Sequence, residues 1–197
     1  MKTINFRKLG PAVLAALLVA PFTAHAESDF ASGAGAIQAD ASVDFQITIE
    51  RFLSLQVGSA GPVIDLIQFT VPAAAVGNGV DVAGTGGNVA NNGSVTVDVS
   101  GNGGNILLTA TTAGPLDNGA LGTIDWSQIS TTVAGAVPAP TIVSGATSPS
   151  VVVNAVNDLV DASGTWTYTY LNDNVVPAGT YGGVLGNGRV TYTATYL

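Results

Sequence analysis

The sequence predicts an all-β protein, an antiparallel sandwich or barrel of about eight to ten short strands. Three observations point to this class. Short runs of alternating apolar and polar residues recur, clusters of Gly, Asn, Asp and Pro separate them, and no segment after the first 26 residues has helical periodicity. A β-solenoid stays open as an alternative, although the chain shows no fixed repeat period.

The first 26 residues have the pattern of a secretion signal, which is removed before the protein folds. Three basic residues precede an apolar stretch at 13–19, and Ala-His-Ala at 24–26 forms a cleavage site. The apolar stretch is much shorter than the roughly 20 residues that cross a bilayer. We therefore expect no membrane span and a mature chain of 171 residues, which passes through the periplasm to the cell surface or the medium.

The mature composition excludes several classes of partner. Arg51 and Arg189 are the only basic residues left, against 13 acidic residues, so the formal charge is −11. Nucleic acid and anionic membranes both need clustered Lys and Arg, and neither is expected to bind. The chain contains no Cys, so its stability must come from packing within one domain rather than from disulfides.

The mature chain also lacks most groups that carry catalysis or bind metals. Without His, Lys and Cys it cannot form a Ser-His-Asp triad or an imidazole or thiolate metal site. A carboxylate pair of the glycosidase kind is the remaining route, but most of the acidic residues fall on the polar side of predicted strands or beside turns. We expect no enzyme activity, no catalytic residue and no cofactor. Calcium is the one ion left open, and its candidate ligands lie in two turns that do not match a calcium-loop motif: Asn157, Asp158 and Asp161, and Asn172, Asp173 and Asn174.

In chain order, residues 27–41 are mostly small, with little to pack beyond Phe30 and Ile37, and predict a flexible N-terminal arm, followed by a single sandwich domain over 42–197. The strongest strand signal is at 42–50, where one face is formed by Val43, Phe45, Ile47 and Ile49. The alternation inverts at Arg51 and Phe52, which predicts a bulge or a crossing between sheets before a strand from Leu53 to Val57.

Further strands are predicted along the rest of the chain, with turn-forming residues between them, at 63–71, 94–100, 105–112, 123–133, 141–144, 150–156, 165–171 and 189–197. The last of these alternates apolar residues with Thr, so the chain ends in a strand. Its apolar face is formed by Val190, Tyr192, Ala194 and Tyr196.

Two surface hypotheses come from the side chains of these strands. Trp166, Tyr168 and Tyr170 share one strand face, which indicates either a core row or a carbohydrate platform, with Trp126 and Tyr181 as further candidates. Threonine rows at 165–169 and 191–195 indicate either ordinary strand residues or an ice-binding face. The core and strand explanations are the commoner ones for such rows.

The two ends of the mature chain resemble a family. The segment VPAGTYGGVLGNGRVTYTATYL resembles the C-terminal hairpin of secreted bacterial fimbrial subunits. The segment ADASVDFQITIERFLSLQVG is similar to the N-terminal region of cysteine-free chaperone-usher pilins. Together they cover roughly a quarter of the mature chain. The resemblance implies an incomplete immunoglobulin-like sandwich, whose groove is filled by the N-terminal strand of the next subunit.

On this resemblance the residues of the two end segments form a strand-complementation interface. Val43, Phe45, Ile47 and Ile49 would fill the groove of a neighbour, and the strand with Val190, Tyr192 and Tyr196 would be completed by a periplasmic chaperone during transit. We expect a structural subunit of an extracellular fibre whose partners are copies of itself or related subunits. A monomeric, self-complete sandwich acting as a carbohydrate-binding or adhesin module is the alternative.

Overall fold

The computed structural model describes residues 29–197, and the expected signal at 1–26 lies outside the described residues. The chain divides into two units, Met1–Thr48 and Ile49–Leu197. In the first unit, residues 29–48 form no helix or strand. Every regular element of the described residues lies in the second unit, which we call the domain.

The domain is built from strands and two single-turn 3-10 helices, Ala73–Ala75 and Trp126–Gln128. Five of the strands have only two residues. In chain order the strands are β1 (Leu53–Val57), β2 (Ile67–Gln68), β3 (Val82–Ala83), β4 (Thr85–Gly86), β5 (Ser94–Gly101), β6 (Ile106–Thr112), β7 (Leu116–Asp117), β8 (Thr123–Ile124), β9 (Ile129–Gly135), β10 (Val151–Val153), β11 (Val160–Tyr170) and β12 (Val190–Tyr196).

The longer strands form two antiparallel sheets. In the larger sheet β5 lies between β1 and β11, β9 pairs with the opposite edge of β11, and β3 pairs with the last two residues of β11. The smaller sheet has the order β10-β6-β12. Two separate two-stranded ladders, β2-β4 and β7-β8, are not part of either sheet. The predicted all-β, antiparallel sandwich is confirmed, and its immunoglobulin-like connectivity stays an expectation of the resemblance.

The core lies between the two sheets and follows from the alternation of the central strands. Val97 and Val99 of β5, Leu108 of β6 and Trp166 of β11 are at most 1% exposed. The Trp166 ring lies 5.0 Å, between centroids, from the ring of Tyr192 in the other sheet. Its indole N–H donates to the carbonyl of Val137 at 2.9 Å, so the largest core side chain is buried without an unpaired polar atom.

The strand predicted over residues 42–50 is not formed. Residues 42–52 have no regular secondary structure, and the second unit begins at Ile49. Alternation shows that a segment is able to bury one face in a sheet, whereas a strand also needs a neighbour for its backbone N–H and C=O groups. No strand of residues 29–197 supplies that neighbour.

Four other predicted strands are shorter than expected, interrupted or absent. The segment at 123–133 is divided into β8 and β9 by the 3-10 helix Trp126–Gln128, and 150–156 contributes only β10. The segment at 63–71 contributes only β2, and residues 141–144 form no strand.

In the segment 141–144, the Val143 carbonyl accepts a hydrogen bond from the Thr112 hydroxyl at 2.6 Å. Ile142 is buried in the core although it lies in a loop. A short apolar run can therefore bury its side chains in the core from a loop, without forming a strand.

Asn172 fixes the loop that follows β11. It is 1% exposed and adopts a left-handed backbone with φ of 56°. Its side-chain oxygen accepts from the Gly77 N–H at 2.9 Å, and its amide nitrogen donates to the Ala75 carbonyl at 2.7 Å. These bonds connect two loops that are about 95 residues apart in sequence.

We expect Asn172→Ala to lower the free energy of unfolding by about 1–3 kcal/mol, because it leaves partly buried backbone groups unpaired and places Ala in a left-handed conformation. Urea denaturation followed by circular dichroism measures the change. Exposed Asn174, two residues further on, is the control, and Asn174→Ala should change stability by less than about 0.5 kcal/mol. Equal effects of the two substitutions would contradict the role given to Asn172.

Candidate functional site

The residues predicted to fill a neighbour's groove are exposed. Val43, Phe45, Ile47 and Ile49 have between 74% and 90% of their surface accessible, and they occur in a stretch without helix or strand. Large apolar side chains at four alternate positions are an unusual surface for a monomeric protein, because each exposed side chain forgoes about 1.5–3 kcal/mol of burial. The segment Val43–Ile49, called the donor segment below, therefore has the composition of an interface.

The residues predicted on the last strand lie at an edge of the smaller sheet. Within the described part of the chain β12 pairs only with β6, so its other edge is free. Val190, Tyr192, Ala194 and Tyr196 face inward, yet each is only partly buried. The final strand is thus held in the sheet on one side, and its free edge is bordered by half-covered apolar side chains.

Strand β1 has the same arrangement at the edge of the larger sheet. It pairs only with β5 among residues 29–197, and its register places Leu55 and Val57 opposite the inward-facing Val99 and Val97. Leu53, Leu55 and Val57 are nevertheless partly or largely exposed. A cavity of about 330 Å³ lies along β1 and the loop after it. Val63, Ile64 and Leu66, in the segment between β1 and β2, are also exposed.

The edges of β1 and β12 lie on the same side of the sandwich. The Tyr196 hydroxyl donates to the carbonyl of Phe52, the residue before β1, and accepts from the Asn102 N–H at 2.9 Å. These bonds close one end of that side. Between this point and the opposite end, the inward rows of β1 and β12 lack the cover that the central strands have. We call this region the open side.

Arg51 reinforces the closed end of the open side. Its guanidinium lies 4.5 Å from the centroid of the Tyr196 ring and donates to the Gly103 carbonyl at 3.0 Å. A Cβ atom on Gly103 would lie 2.9 Å from the Tyr196 ring, so the glycine permits this approach. The structure places Arg51 on an aromatic ring, a contact that joins residues 145 positions apart and has no local sequence signal.

Tyr192 connects the open side to the core. Its hydroxyl hydrogen-bonds to that of Tyr168 in the facing sheet, with the oxygens 2.8 Å apart. Burial raises the pKa of Tyr168 to about 12 and raises the pKa of Tyr192 well above its usual value near 10. Both phenols therefore stay neutral over the range in which most proteins are stable.

The aromatic residues considered for carbohydrate binding are part of the core. Trp126 is 6% exposed and donates its indole N–H to the Gly114 carbonyl, while Trp166, Tyr168 and Tyr170 are also buried. Tyr181 lies in a loop, where its hydroxyl donates to the Pro177 carbonyl at 2.6 Å. These positions leave no exposed row of indole rings among residues 29–197 on which a sugar would stack.

The threonine rows and the Asn/Asp turns are explained by local structure. Thr165, Thr167 and Thr169 lie on the outer face of the larger sheet, whereas Thr191, Thr193 and Thr195 lie on the outer face of the smaller sheet, so they form no common surface. Asn157 and Asp158 have φ of 53° and 62° at a hairpin tip. No group of three or more acidic or His side chains gathers among residues 29–197.

Comparisons of the chain with protein-family models, with curated proteins and with solved structures found no match. Among the residues that the structure describes, no helix is long and apolar enough to cross a membrane. A functional proposal therefore depends on two features of the structure: the partly covered strands of the open side and the exposed donor segment.

The tyrosine pair predicts a fall in stability at alkaline pH. An unfolded Tyr ionises near pH 10, and the raised pKa values keep both phenols protonated in the folded domain. Their contribution is complete below pH 10 and is lost as the pH rises from about 10 to 12, which costs about 2 kcal/mol for Tyr168 alone. Urea unfolding at pH 8 and at pH 11.5 measures this loss.

Phenylalanine variants are the control for that experiment. Tyr192→Phe leaves the buried Tyr168 hydroxyl without its partner and should cost about 1–2 kcal/mol at pH 8. The double variant Tyr168→Phe/Tyr192→Phe removes both hydroxyls, so it should recover most of that loss and should also be less sensitive to the alkaline pH. If the double variant loses as much stability above pH 10 as the parent, the pair does not cause the decline.

Proposed function

We propose that this chain is a structural subunit of an extracellular fibre that assembles by β-strand complementation. The donor segment of one copy would lie in the open side of the next copy, against the free edge of β12. The observation that carries the proposal is the match between two incomplete elements. An exposed alternating apolar segment has no strand partner among the described residues, and an edge strand has an inward row that is only partly covered.

The donor segment and β12 match in length and in side-chain size. Each has seven residues, with four apolar side chains at alternate positions. In antiparallel pairing over the full length, Phe45 would face Ala194, and Ile47 would face Tyr192. The largest donor side chain thus meets the smallest acceptor side chain, as close packing between facing strands requires. Burying four such donor side chains gains about 1.5–3 kcal/mol each before the cost of ordering the arm.

Chain connectivity favours donation to another copy. In this antiparallel register Ile49 lies beside Val190, about 20 Å along β12 from Tyr196. Leu53, only four residues after Ile49, is paired with Gly101 at the end of the domain where Tyr196 lies. Four extended residues span at most about 14 Å. The same chain therefore cannot occupy its own open side in this register, and a second copy is needed.

The proposal includes export of the chain and its protection by a periplasmic chaperone during transit. The signal pattern at 1–26 supports export, and an uncovered apolar edge in transit would need protection from aggregation. A periplasmic chaperone that lends a strand to β12 would supply this protection until another subunit replaces it. The low density of charge, 9% of all residues, suits a surface that packs against copies of itself.

A monomeric carbohydrate-binding or adhesin module is the second candidate. It would need an exposed aromatic surface, and the burial of Trp126 and Trp166 gives it no support. It also leaves the exposure of the donor segment without an explanation. We therefore favour the fibre subunit.

The donor segment can be tested with variants on its two faces. We expect Phe45→Asp/Ile47→Asp to abolish oligomers, because charged groups cannot enter an apolar groove without a partner. The matched control is Gln46→Asp/Thr48→Asp, which adds the same charge to the opposite face and should leave the oligomers intact. Size-exclusion chromatography with light scattering and negative-stain microscopy on the chain from Glu27 measure both. Equal oligomers in the two variants would contradict strand donation.

A mixing experiment tests the acceptor. Ala194→Asp should block the open side while leaving the donor segment intact, and Phe45→Asp/Ile47→Asp should do the reverse. Each protein alone should be monomeric, and an equimolar mixture should form a one-to-one heterodimer in light scattering. Thr193→Asp, on the outer face of β12, is the control that should still polymerise. A mixture that stays monomeric, with circular dichroism showing folded Ala194→Asp, would contradict the acceptor site.

A further inference from the structure

One side chain holds the residues between the donor segment and β1 in an extended form. Asn102 lies in the turn between β5 and β6, and its side-chain oxygen accepts from the Phe52 N–H at 2.8 Å. Its side-chain nitrogen donates to the Glu50 carbonyl at 2.8 Å. In an extended chain these two backbone groups, two residues apart, point to the same edge, so a single amide can bond both. The Asn102 side chain thus continues the β1–β5 ladder by two residues after β5 has ended.

Tyr196 and Arg51 hold the same stretch of chain. The Tyr196 hydroxyl donates to the Phe52 carbonyl. The Arg51 guanidinium donates to the Gly103 carbonyl at 3.0 Å and lies over the Tyr196 ring. Residues 50–52 are therefore bonded, one after another, to the β5–β6 turn or to the last strand. We call this set of contacts, from residues 50–52 to Asn102, Gly103 and Tyr196, the junction clamp.

The donor segment has a second acceptor within reach, which is β1 of its own chain. Among residues 29–197 the outer edge of β1 is free, and only residues 50–52 separate this strand from the donor segment. A hairpin with 50–52 as its three-residue loop would bring the apolar row of the donor segment to the core side of β1. Side-chain packing therefore favours this register. The facing pairs would be Ile49 with Leu53, Ile47 with Leu55, and Phe45 with Val57.

This hairpin would compete with donation to another copy. The limit of chain length that excludes the chain's own β12 does not apply to β1, which begins four residues after Ile49. A partner on a tether this short has an effective concentration of about millimolar. A free second copy reaches that value only in concentrated protein. A subunit that donates its segment must therefore disfavour pairing with its own β1.

The residues at 50–52 are poorly suited to the hairpin loop. A three-residue loop of this kind is most often a type I turn followed by a residue with a left-handed backbone. Phe52 would occupy that position, where a bulky side chain is strongly disfavoured. None of residues 50–52 has a positive φ, whereas Gly, Asn and Asp fill nearly all the left-handed positions of the described chain. The loop sequence and the junction clamp therefore oppose the same reversal of the chain.

We propose that the junction clamp prevents the donor segment from folding back on β1 and thereby directs it to a second copy, with Asn102 as the positioning residue. This inference rests on the fibre function proposed above and gives the reason that a subunit does not complete itself. A reversal at 50–52 would carry Glu50 away from Asn102 and Arg51 away from the Tyr196 ring. The self-paired state loses contacts that the extended state keeps, although both states contain the same donor segment.

Hydrogen–deuterium exchange on the dilute, monomeric chain from Glu27 tests the clamp. The reference is Phe52→Gly, which supplies a glycine for the hairpin loop and keeps the backbone groups that Asn102 binds. In this background Asn102→Ala removes both side-chain bonds. We expect it to slow exchange at residues 43–49 about tenfold relative to the reference, because two hydrogen bonds no longer oppose the hairpin. A variant that only destabilised the domain would not slow exchange in this segment.

The matched control is Asn105→Ala in the same background. Asn105 lies in the same turn, and its side-chain oxygen accepts from the Ala155 N–H at 2.8 Å rather than from residues 50–52. Exchange at residues 43–49 should therefore equal that of the reference.

A second variant decides the question if circular dichroism shows that Asn102→Ala unfolds the domain. Arg51→Ala/Phe52→Gly retains Asn102 and removes the two Arg51 contacts instead, so it should also slow exchange at residues 43–49. Equal exchange in this variant and in the reference would overturn the clamp.

The outcomes separate the clamp from strand donation. Equal exchange in folded Asn102→Ala and Asn105→Ala would overturn the clamp, and strand donation would stand if oligomers of the parent chain still depend on Phe45 and Ile47. Slower exchange in Asn102→Ala, together with fewer oligomers than the reference at high concentration, would support both. Slower exchange in Asn102→Ala when the parent chain forms no oligomers at any concentration would support the clamp and contradict the fibre function.

Discussion

An extended segment in a folded protein must satisfy its backbone groups and cover its apolar face, and the architecture of this domain follows from where both conditions are met. Strands β5, β6 and β11 have neighbours on both sides, and their inward residues are buried. Among residues 29–197, strands β1 and β12 have a neighbour on one side only, and their inward residues are half-covered. The donor segment meets neither condition in the described chain. The proposed function is the arrangement in which these incomplete elements complete one another.

Two groups of contacts fix β12 beside the open side. One lies at the closed end, and the other lies where β12 packs against the facing sheet. Tyr196 joins the end of the chain to Phe52 and Asn102, and Arg51 packs on the Tyr196 ring. Tyr192 contacts Trp166 and Tyr168 in the facing sheet. With the last strand fixed at both places, its free edge is held ready for a partner, which lowers the ordering cost of docking.

The sequence predicted the strands that are paired within the domain better than the contacts between them. Alternation located β5, β6 and β12 to within one residue at each end and β11 except for its first five residues, because these segments bury one face in a single core. The same signal predicted a strand at 42–50, where none is formed, since alternation carries no information about the identity of the partner. Arg51 on Tyr196 and Asn172 between two loops depend on residues far apart in the chain, and no local pattern indicates them.

Hydrogen–deuterium exchange on the chain from Glu27, at low and at high protein concentration, tests the central claim most directly. Strand complementation predicts that the amides of residues 43–49 exchange freely in dilute protein. They should become protected, together with the free-edge amides of β12, as oligomers form. The account would be contradicted if oligomers formed while residues 43–49 continued to exchange at the rate of an unstructured chain, or if these residues were already protected in the monomer.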